Sequence, residues 1–170
     1  MRGWTAVRLL GCVAASGLAG CGSAIGPSGP TIASGQYVLT DIDGKPAPFI
    51  LIEAERADSS TITQLIRFDT LVVINDTSGR RHFKTATLRQ LPGGPPEEVG
   101  STDADIKVLL VPRENEIAVV SPDAFGFQPV YFAPRGRDLI QQVEAGHARC
   151  TPAGCTTLFS GIVEARYVRR

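Results

Sequence analysis

The feature that most limits the fold of this chain is a two-residue alternation of apolar and polar side chains, repeated in short runs. The clearest run reads "IRFDTLVVIN" and spans Ile66 to Asn75. Successive side chains of a strand point to opposite faces, so this run places several large side chains on one face. These are Ile66, Phe68, Val72 and Ile74. The pattern predicts a β-strand with one buried face.

About eight such runs follow one another, and turn-forming residues separate them. Asp138–Ala145 also has apolar residues at helical spacing, but its neighbours favour a strand. The pair Asp43-Gly44 lies between two apolar runs and is typical of a hairpin turn, because glycine tolerates positive φ. Strands joined by local turns predict an all-β fold, an antiparallel up-and-down meander. Closure into a small barrel removes unpaired edges, so a closed or nearly closed barrel is expected.

The interior of an eight-stranded barrel has room for packed side chains or for one small ligand, not for both. The strand faces expected to point inward carry mostly large side chains. They are Tyr37 and Leu39; Ile66, Phe68, Val72 and Ile74; Ile106, Val108 and Leu110; and Phe127 with Tyr131. The sequence therefore predicts a filled barrel, without a pocket of the ~300 Å³ typical of ligand sites.

The N-terminus has the order of a secretory signal. Arg2 and Arg8 precede an uncharged apolar stretch, and small residues crowd its end. The stretch is shorter than the ~20 residues of a transmembrane helix. Its last four residues, Leu18-Ala19-Gly20-Cys21, resemble the lipobox of bacterial lipoproteins. That resemblance implies cleavage before Cys21, acylation of its thiol and attachment to a membrane.

Three regions follow from this interpretation. Residues 1–20 form the signal peptide, and residues 21–35 form a lipidated tether rich in Gly, Pro and Ser. Random-coil scaling gives that tether a reach of about 20 Å. Residues 36–170 form the β-barrel domain. Gly22 stands where the inner-membrane retention signal of lipoproteins has an aspartate, so the resemblance favours the outer membrane of a host with two membranes.

The charge balance excludes one class of partner. The full chain has 17 Lys plus Arg and 17 Asp plus Glu, so loss of Arg2 and Arg8 with the signal leaves a net charge of about −2. Arg80-Arg81 and Arg169-Arg170 are isolated pairs rather than a basic stripe. Nucleic acid is therefore not expected as a partner.

Two cysteines remain once Cys12 is removed and Cys21 is lipidated. Cys150 and Cys155 frame the turn "CTPAGC", and an exported protein meets oxidising surroundings, so a disulfide at a hairpin tip is the favoured interpretation. The alternative is a zinc site that adds His147 and perhaps His82, although the paired Cys-x-x-Cys spacing of structural zinc sites is absent. No cofactor or metal is expected.

Catalytic signatures are also missing from the sequence. There is no Gly-x-Ser-x-Gly elbow around a serine, and Ser160 lies in a strand-like run. The carboxylate pairs Asp41/Asp43 and Glu53/Glu55 share strand faces, but nothing in the sequence separates their pKa values as acid–base catalysis requires. Leu91–Asp105, a Pro/Gly-rich segment, is expected to be a long mobile loop, with a contact surface as the alternative. An enzyme is not expected.

The two ends of the domain carry a second resemblance. The opening "GQYVLTDIDGKPAPF" and the closing "ARYVRR" resemble a group of uncharacterised bacterial lipoproteins with lipocalin-like sheets. The matching positions are Gly35, Tyr37, Leu39, Asp43, Gly44 and Pro48. This resemblance implies a fold and no activity.

Two functions remain as hypotheses. The first is a non-enzymatic structural or interaction module that displays a small barrel in the cell envelope, with a membrane contact through the lipid and an envelope protein as partner. The segment Pro92–Ala104 and the Cys150–Cys155 tip are its expected contact regions. The second is a lipocalin-like carrier of a small apolar ligand.

Overall fold

The computed structural model describes residues 29–123 and 128–170, and every regular element in them is a β-strand. None of the described residues forms a helix that is long and apolar enough to cross a membrane. The nine strands are β1 (Gly35–Ile42), β2 (Phe49–Glu55), β3 (Thr61–Asn75), β4 (Ser78–Gln90), β5 (Pro96–Pro112), β6 (Ile117–Val120), β7 (Val130–Arg135), β8 (Asp138–Thr151) and β9 (Gly154–Arg169). Asp138–Ala145 is thus a strand, as expected.

Eight of these strands close a barrel. From β3 to β9 each strand pairs antiparallel with the next, and β1 closes the ring between β9 and β3. The closing registers place Tyr37 opposite Leu71 on one side and Leu39 opposite Tyr167 on the other. The predicted all-β antiparallel barrel is confirmed.

The ninth strand, β2, lies outside the ring. It pairs antiparallel with the first half of β3 and parallel with the second half of β8. The turn before it forms as predicted: Asp43 and Gly44 both have positive φ, and Ile42 and Lys45 exchange backbone hydrogen bonds of 3.0 Å. The predicted hairpin is nevertheless wrong, because β1 and β2 separate after this turn and bond to different neighbours.

The long strands continue past the barrel and form a second sheet, which we call the extension. Its order is β5-β4-β3-β2-β8-β9, and β2 joins its two halves. The extension comprises the first halves of β3, β5 and β9 and the second halves of β4 and β8, together with β2. Its two outer strands are therefore β5 and β9.

The long loop predicted for Leu91–Asp105 is wrong. Only a short turn is present, closed by a 3.0 Å hydrogen bond from the Gly94 N–H to the Leu91 carbonyl, and β5 begins at Pro96. Cross-strand ion pairs compensate for the low strand propensity of this acidic segment, as in Arg80–Asp105 at 2.7 Å. Arg67 and Glu98 form another such pair, which bridges β3 and β5.

The described chain contacts the barrel earlier than Gln36, where the sequence placed the start of the folded domain. The side chain of Ile32 is only 4% exposed and belongs to the barrel core. The Tyr37 hydroxyl donates a 2.8 Å hydrogen bond to the Ala33 carbonyl. The last residues of the predicted tether are thus part of the packed structure. Cys21 and the signal peptide lie outside the described residues.

Candidate functional site

The interior of the barrel is filled by large side chains. Phe132 and Tyr167 lie at its centre with their rings edge to face, 5.1 Å between centroids. The surrounding core residues come from every strand of the ring except β4, from Phe49 of β2 and from Ile32 before β1. The other buried residues of this cluster are Ile32, Tyr37, Leu39, Ile42, Ile66, Leu71, Val73, Val108, Leu110, Ile117, Val119, Leu139 and Ala165. Close packing of this kind leaves the barrel centre without room for a ligand.

An ion pair is buried within this apolar core. The Arg81 guanidinium donates two hydrogen bonds from Nε to the Asp69 carboxylate, at 3.0 and 3.1 Å, and a further one from its terminal nitrogen. The Tyr167 hydroxyl donates to Asp69 Oδ2 at 2.9 Å, and the Gln141 side-chain amide lies 2.9 Å from the same hydroxyl. The network links β3 and β4 to β8 and β9 across the barrel.

Each member of the network is compensated by its neighbours. Burial lowers the pKa of Arg81, but the hydrogen bonds and the charge of Asp69 outweigh that effect and hold this pKa above its ordinary value. Burial, together with the Asp69 charge, raises the pKa of Tyr167 well above its ordinary value. The Phe83 ring also lies against the guanidinium, 5.4 Å from Arg81 Cζ. These contacts indicate a structural role, since each charge has its partner inside the barrel.

The predicted inward faces are right for β1 and β5, right for Ile66 but wrong for the later residues of β3, and wrong for β7. Tyr37 and Leu39 are buried, as are Val108 and Leu110, with Ile106 partly buried against them. On β3, however, Val72 and Ile74 are exposed and Leu71 and Val73 point inward. On β7, Tyr131 is exposed and Phe132 is buried. Phe127 lies outside the described residues.

A β-bulge explains the error on β3. Ile66 pairs with Thr85 and Phe68 pairs with Lys84, so Arg67 is an extra residue between them. One extra residue exchanges the faces of everything that follows it. Phe68 consequently lies on the outside, edge to face with the His82 ring at 4.7 Å.

The predicted disulfide is present. Cys150 and Cys155 are directly opposite each other at the tip of the β8–β9 hairpin, with an S–S distance of 2.09 Å. Both sulfurs are bonded to each other, which removes them as zinc ligands. In the described ranges, no three His, Cys, Asp or Glu side chains are grouped closely enough to hold a metal ion.

The remaining candidate catalytic side chains are dispersed over the surface. His82 contacts Asp103 at 3.1 Å, whereas His147 lies 3.6 Å from Glu53 on another strand. Glu55 pairs with Arg149 at 2.6 Å, and the hydrogen bond from that guanidinium lowers the pKa of Glu55. The Ser160 hydroxyl lies 3.4 Å from a Glu144 carboxylate oxygen. Asp41 and Asp43 both line an open groove on the outside of the barrel.

An open cleft lies at the mouth of the barrel, where the core ends and the extension begins. Its volume is about 410 Å³. Its apolar walls come from the end of β1, the β1–β2 connection, the start of β2, and β8 and β9. They are Ile42, Pro48, Phe49, Ile50, Ala145, Phe159 and Val163, with Asp43 and Lys45 also lining the cleft. This cleft could not be predicted from local sequence patterns, because β2 forms one of its walls through pairings with distant parts of the chain.

Part of the exposed apolar surface lies on the extension, and the rest lies on the barrel, at Val72, Ile74, Leu109, Val111 and Tyr131. Ile50 and Ile52 are exposed on β2, and Leu158, Phe159 and Ile162 are exposed on β9. Every residue from Gly154 to Ser160 is exposed. Apolar side chains gathered on one projecting sheet are typical of a binding surface rather than of a random surface.

No protein-family model, no curated protein and no solved structure matches this chain. The barrel agrees with the lipocalin-like sheet that the sequence resemblance implied, whereas membership of a family stays a hypothesis. Arguments about function therefore depend on the geometry described above.

Proposed function

We propose that this protein is a lipid-anchored bacterial lipoprotein that acts as a non-enzymatic interaction module in the cell envelope. The observation that carries the proposal is a separation of roles along the molecule. The barrel is filled and its buried charges are paired with each other, while the extension exposes apolar side chains. Contacts with other molecules are therefore assigned to the extension.

The position of the N-terminal segment supports this arrangement. The Arg170 N–H donates a 2.8 Å hydrogen bond to the Gln36 carbonyl, and Arg169 donates to the Ser34 carbonyl. The tether thus enters beside the last residues of β9. The 16 residues of β9 span about 50 Å at ~3.3 Å per residue. Its first residues, next to the disulfide tip, are at the opposite end of the molecule from the tether.

Anchoring is tested by lipid labelling in the native host. Cys21→Ser is expected to abolish incorporation of a labelled fatty acid and to leave an unprocessed precursor. The matched control is Cys12→Ser, which changes the other cysteine of the signal region and leaves labelling intact. Normal processing and membrane partitioning of the Cys21→Ser protein would contradict the anchor.

The cleft favours one alternative function, a carrier of a small apolar ligand. Its volume falls within the range of small-molecule sites. Mass spectrometry of solvent extracts from the purified protein distinguishes the two proposals. An interaction module yields no ligand near one-to-one ratio, whereas a carrier yields one, and Phe159→Ala in the cleft wall reduces its yield.

A further inference from the structure

The two outer strands of the extension differ in how their free edges are protected. No described strand pairs with the outer edge of β5 before Leu109 or with the outer edge of β9 before Ala165. Proteins blunt such edges with proline and charged side chains, because unpaired backbone groups invite another strand. The β5 edge has both features: Pro96, Glu97, Glu98, Asp103 and Asp105.

The β9 edge has neither proline nor charge, and its one irregularity is a β-bulge at Leu158, between the pairs Phe159–His147 and Thr157–Ala148. Gly154–Val163 contains no charged residue and no proline. Its side chains are also unusually exposed for their type: Phe159 is 58% exposed and Ile162 is 71% exposed. An uncharged, apolar and exposed edge of this length has the properties of a strand-addition site.

From this contrast we infer that β9 pairs edge to edge with β9 of a second copy of the same chain. The argument for this occupant is the self-complementarity of the segment. An antiparallel pair about a twofold axis at Ser160 places Phe159 opposite Gly161 of the second copy. The same register places Leu158 opposite Ile162. Since the segment is uncharged, no like charges oppose each other anywhere along it.

The glycine opposite the aromatic ring has a specific role. The Phe159 ring lies along its own strand, and a Cβ built on Gly161 would meet ring atom Cζ at 3.1 Å. Gly161 therefore leaves the space that the ring occupies. In the twofold pair the two Phe159 side chains are diagonal neighbours, a separation within reach of aromatic contact.

Pairing of one short strand gives a small interface, so we expect a weak dimer. Confinement of both copies to one membrane raises their effective concentration and favours the pair. The twofold axis uses the only uncharged free edge among the described strands. The assembly therefore closes at two copies and does not extend into a fibre.

Cysteine crosslinking of the full-length protein in native membranes tests the inference. Ser160→Cys places two thiols across the axis, and mild oxidation is expected to give a disulfide-linked species of twice the monomer mass. Thr102→Cys, on the exposed and protected edge of β5, is the matched control and is expected to crosslink at least tenfold less. Circular dichroism melting curves identical to the unmodified protein show that both variants fold.

A second pair of variants tests the edge itself. Ile162→Lys in the Ser160→Cys background places a charge on the β9 edge and is expected to lower crosslinking at least tenfold. Val99→Lys changes a β5 position that is 54% exposed. It is expected to leave the crosslinking yield of Ser160→Cys unchanged. Equal crosslinking by Ser160→Cys and Thr102→Cys overturns the inference. So does a ladder of higher oligomers, or capture of a different protein by Ser160→Cys.

Failure of the edge pairing can be distinguished from failure of the proposed lipid anchor. The same crosslinking is repeated at high concentration in solution on protein that carries both Cys12→Ser and Cys21→Ser, so that the unprocessed precursor has no other free thiol. Retained crosslinking of this variant, together with no lipid labelling of the protein that keeps Cys21, supports the edge pairing and contradicts the anchor. Lipid labelling at Cys21 without crosslinking at residue 160 supports the anchor and contradicts the edge pairing.

Discussion

At the scale of single residues, the buried ion pair between Asp69 and Arg81 is expected to make a large contribution to the free energy of unfolding. Asp69 is 1% exposed and accepts hydrogen bonds from Arg81 and Tyr167. Asp69→Ala leaves the guanidinium charged and buried without its counter-ion. Loss of one partner of a buried pair costs about 3–5 kcal/mol. The expected result is a fall of that size in the free energy of unfolding measured in urea.

The matched control is Asp105→Ala. It removes the partner of Arg80 from an ion pair in which both side chains are about half exposed. Exposed pairs contribute little, because water screens both charges. If Asp69→Ala were as mild as Asp105→Ala, the buried network would not stabilise the barrel as argued.

The buried hydroxyl of Tyr167 should make the free energy of unfolding depend on pH in the alkaline range. Its pKa is raised in the folded protein by burial and by the Asp69 charge. A group with a raised folded pKa contributes stability that is fully present below its unfolded pKa and is lost as the pH rises toward the folded value. The free energy of unfolding should thus fall as the pH rises above 10, the ordinary value of tyrosine.

Tyr167→Phe is expected to remove part of this alkaline loss, because phenylalanine has no proton to lose. The measurement is chemical unfolding at a series of pH values from neutral to 11. Tyr131→Phe, at an exposed ring, is the control and should leave the profile unchanged. An alkaline profile that Tyr167→Phe does not alter would contradict the proposed role of burial.

At the scale of strands, alternation predicted the elements well and their faces less well. Val72 and Ile74 have the spacing of core residues, yet the single extra residue Arg67 turns them outward. An arginine in an alternating run gives no local sign of a bulge. The first half of β5 was missed for a related reason. This acidic segment has low strand propensity and is ordered by pairing with β4, a cross-strand contact that single-residue propensities do not include.

The β8–β9 hairpin gives the prediction that belongs to this scale. Its disulfide closes a short loop, so the chain-entropy model assigns it about 2 kcal/mol. Replacing Cys150 and Cys155 together by serine should lower the free energy of local opening at the hairpin tip by that amount. Hydrogen exchange followed by mass spectrometry measures this opening. Exchange in β3 and β4 of the barrel should stay unchanged, and a general loss of protection would contradict a local role.

At the scale of the whole molecule, the ring of eight strands follows from local turns, and β2 does not. Most of the ring joins neighbours in the chain, which is the arrangement that a meander pattern predicts. The parallel pairing of Ile52–Glu55 with Gly146–Arg149 joins residues more than ninety positions apart. No local signal specifies it, and the cleft and the extension both depend on it. The disulfide and the filled barrel could be predicted from the sequence, whereas the exposed edge of β9 could not.

The last prediction concerns the orientation of the molecule on a membrane. If lipidated Cys21 holds the chain, the turn between β3 and β4 faces the bilayer, because it lies at the same end as Gly35 and Arg169. The tip of the extension then lies about 40–50 Å away, the span of β9 at ~3.3 Å per residue. Fluorophores at Asp76→Cys and Thr157→Cys report on the two ends. Each introduced cysteine is the sole free thiol of a protein with Cys21 acylated and Cys150 bonded to Cys155.

Vesicles that contain a headgroup-attached quencher provide the measurement. The probe at residue 76 should be quenched, and the probe at residue 157 should keep its full fluorescence, since quenching acts over a much shorter distance than the length of β9. Removal of the lipid anchor by Cys21→Ser should abolish quenching at residue 76. Equal quenching at both positions would mean that the barrel lies flat on the bilayer. The extension could then contact lipid directly, and its apolar residues would no longer point to a protein partner.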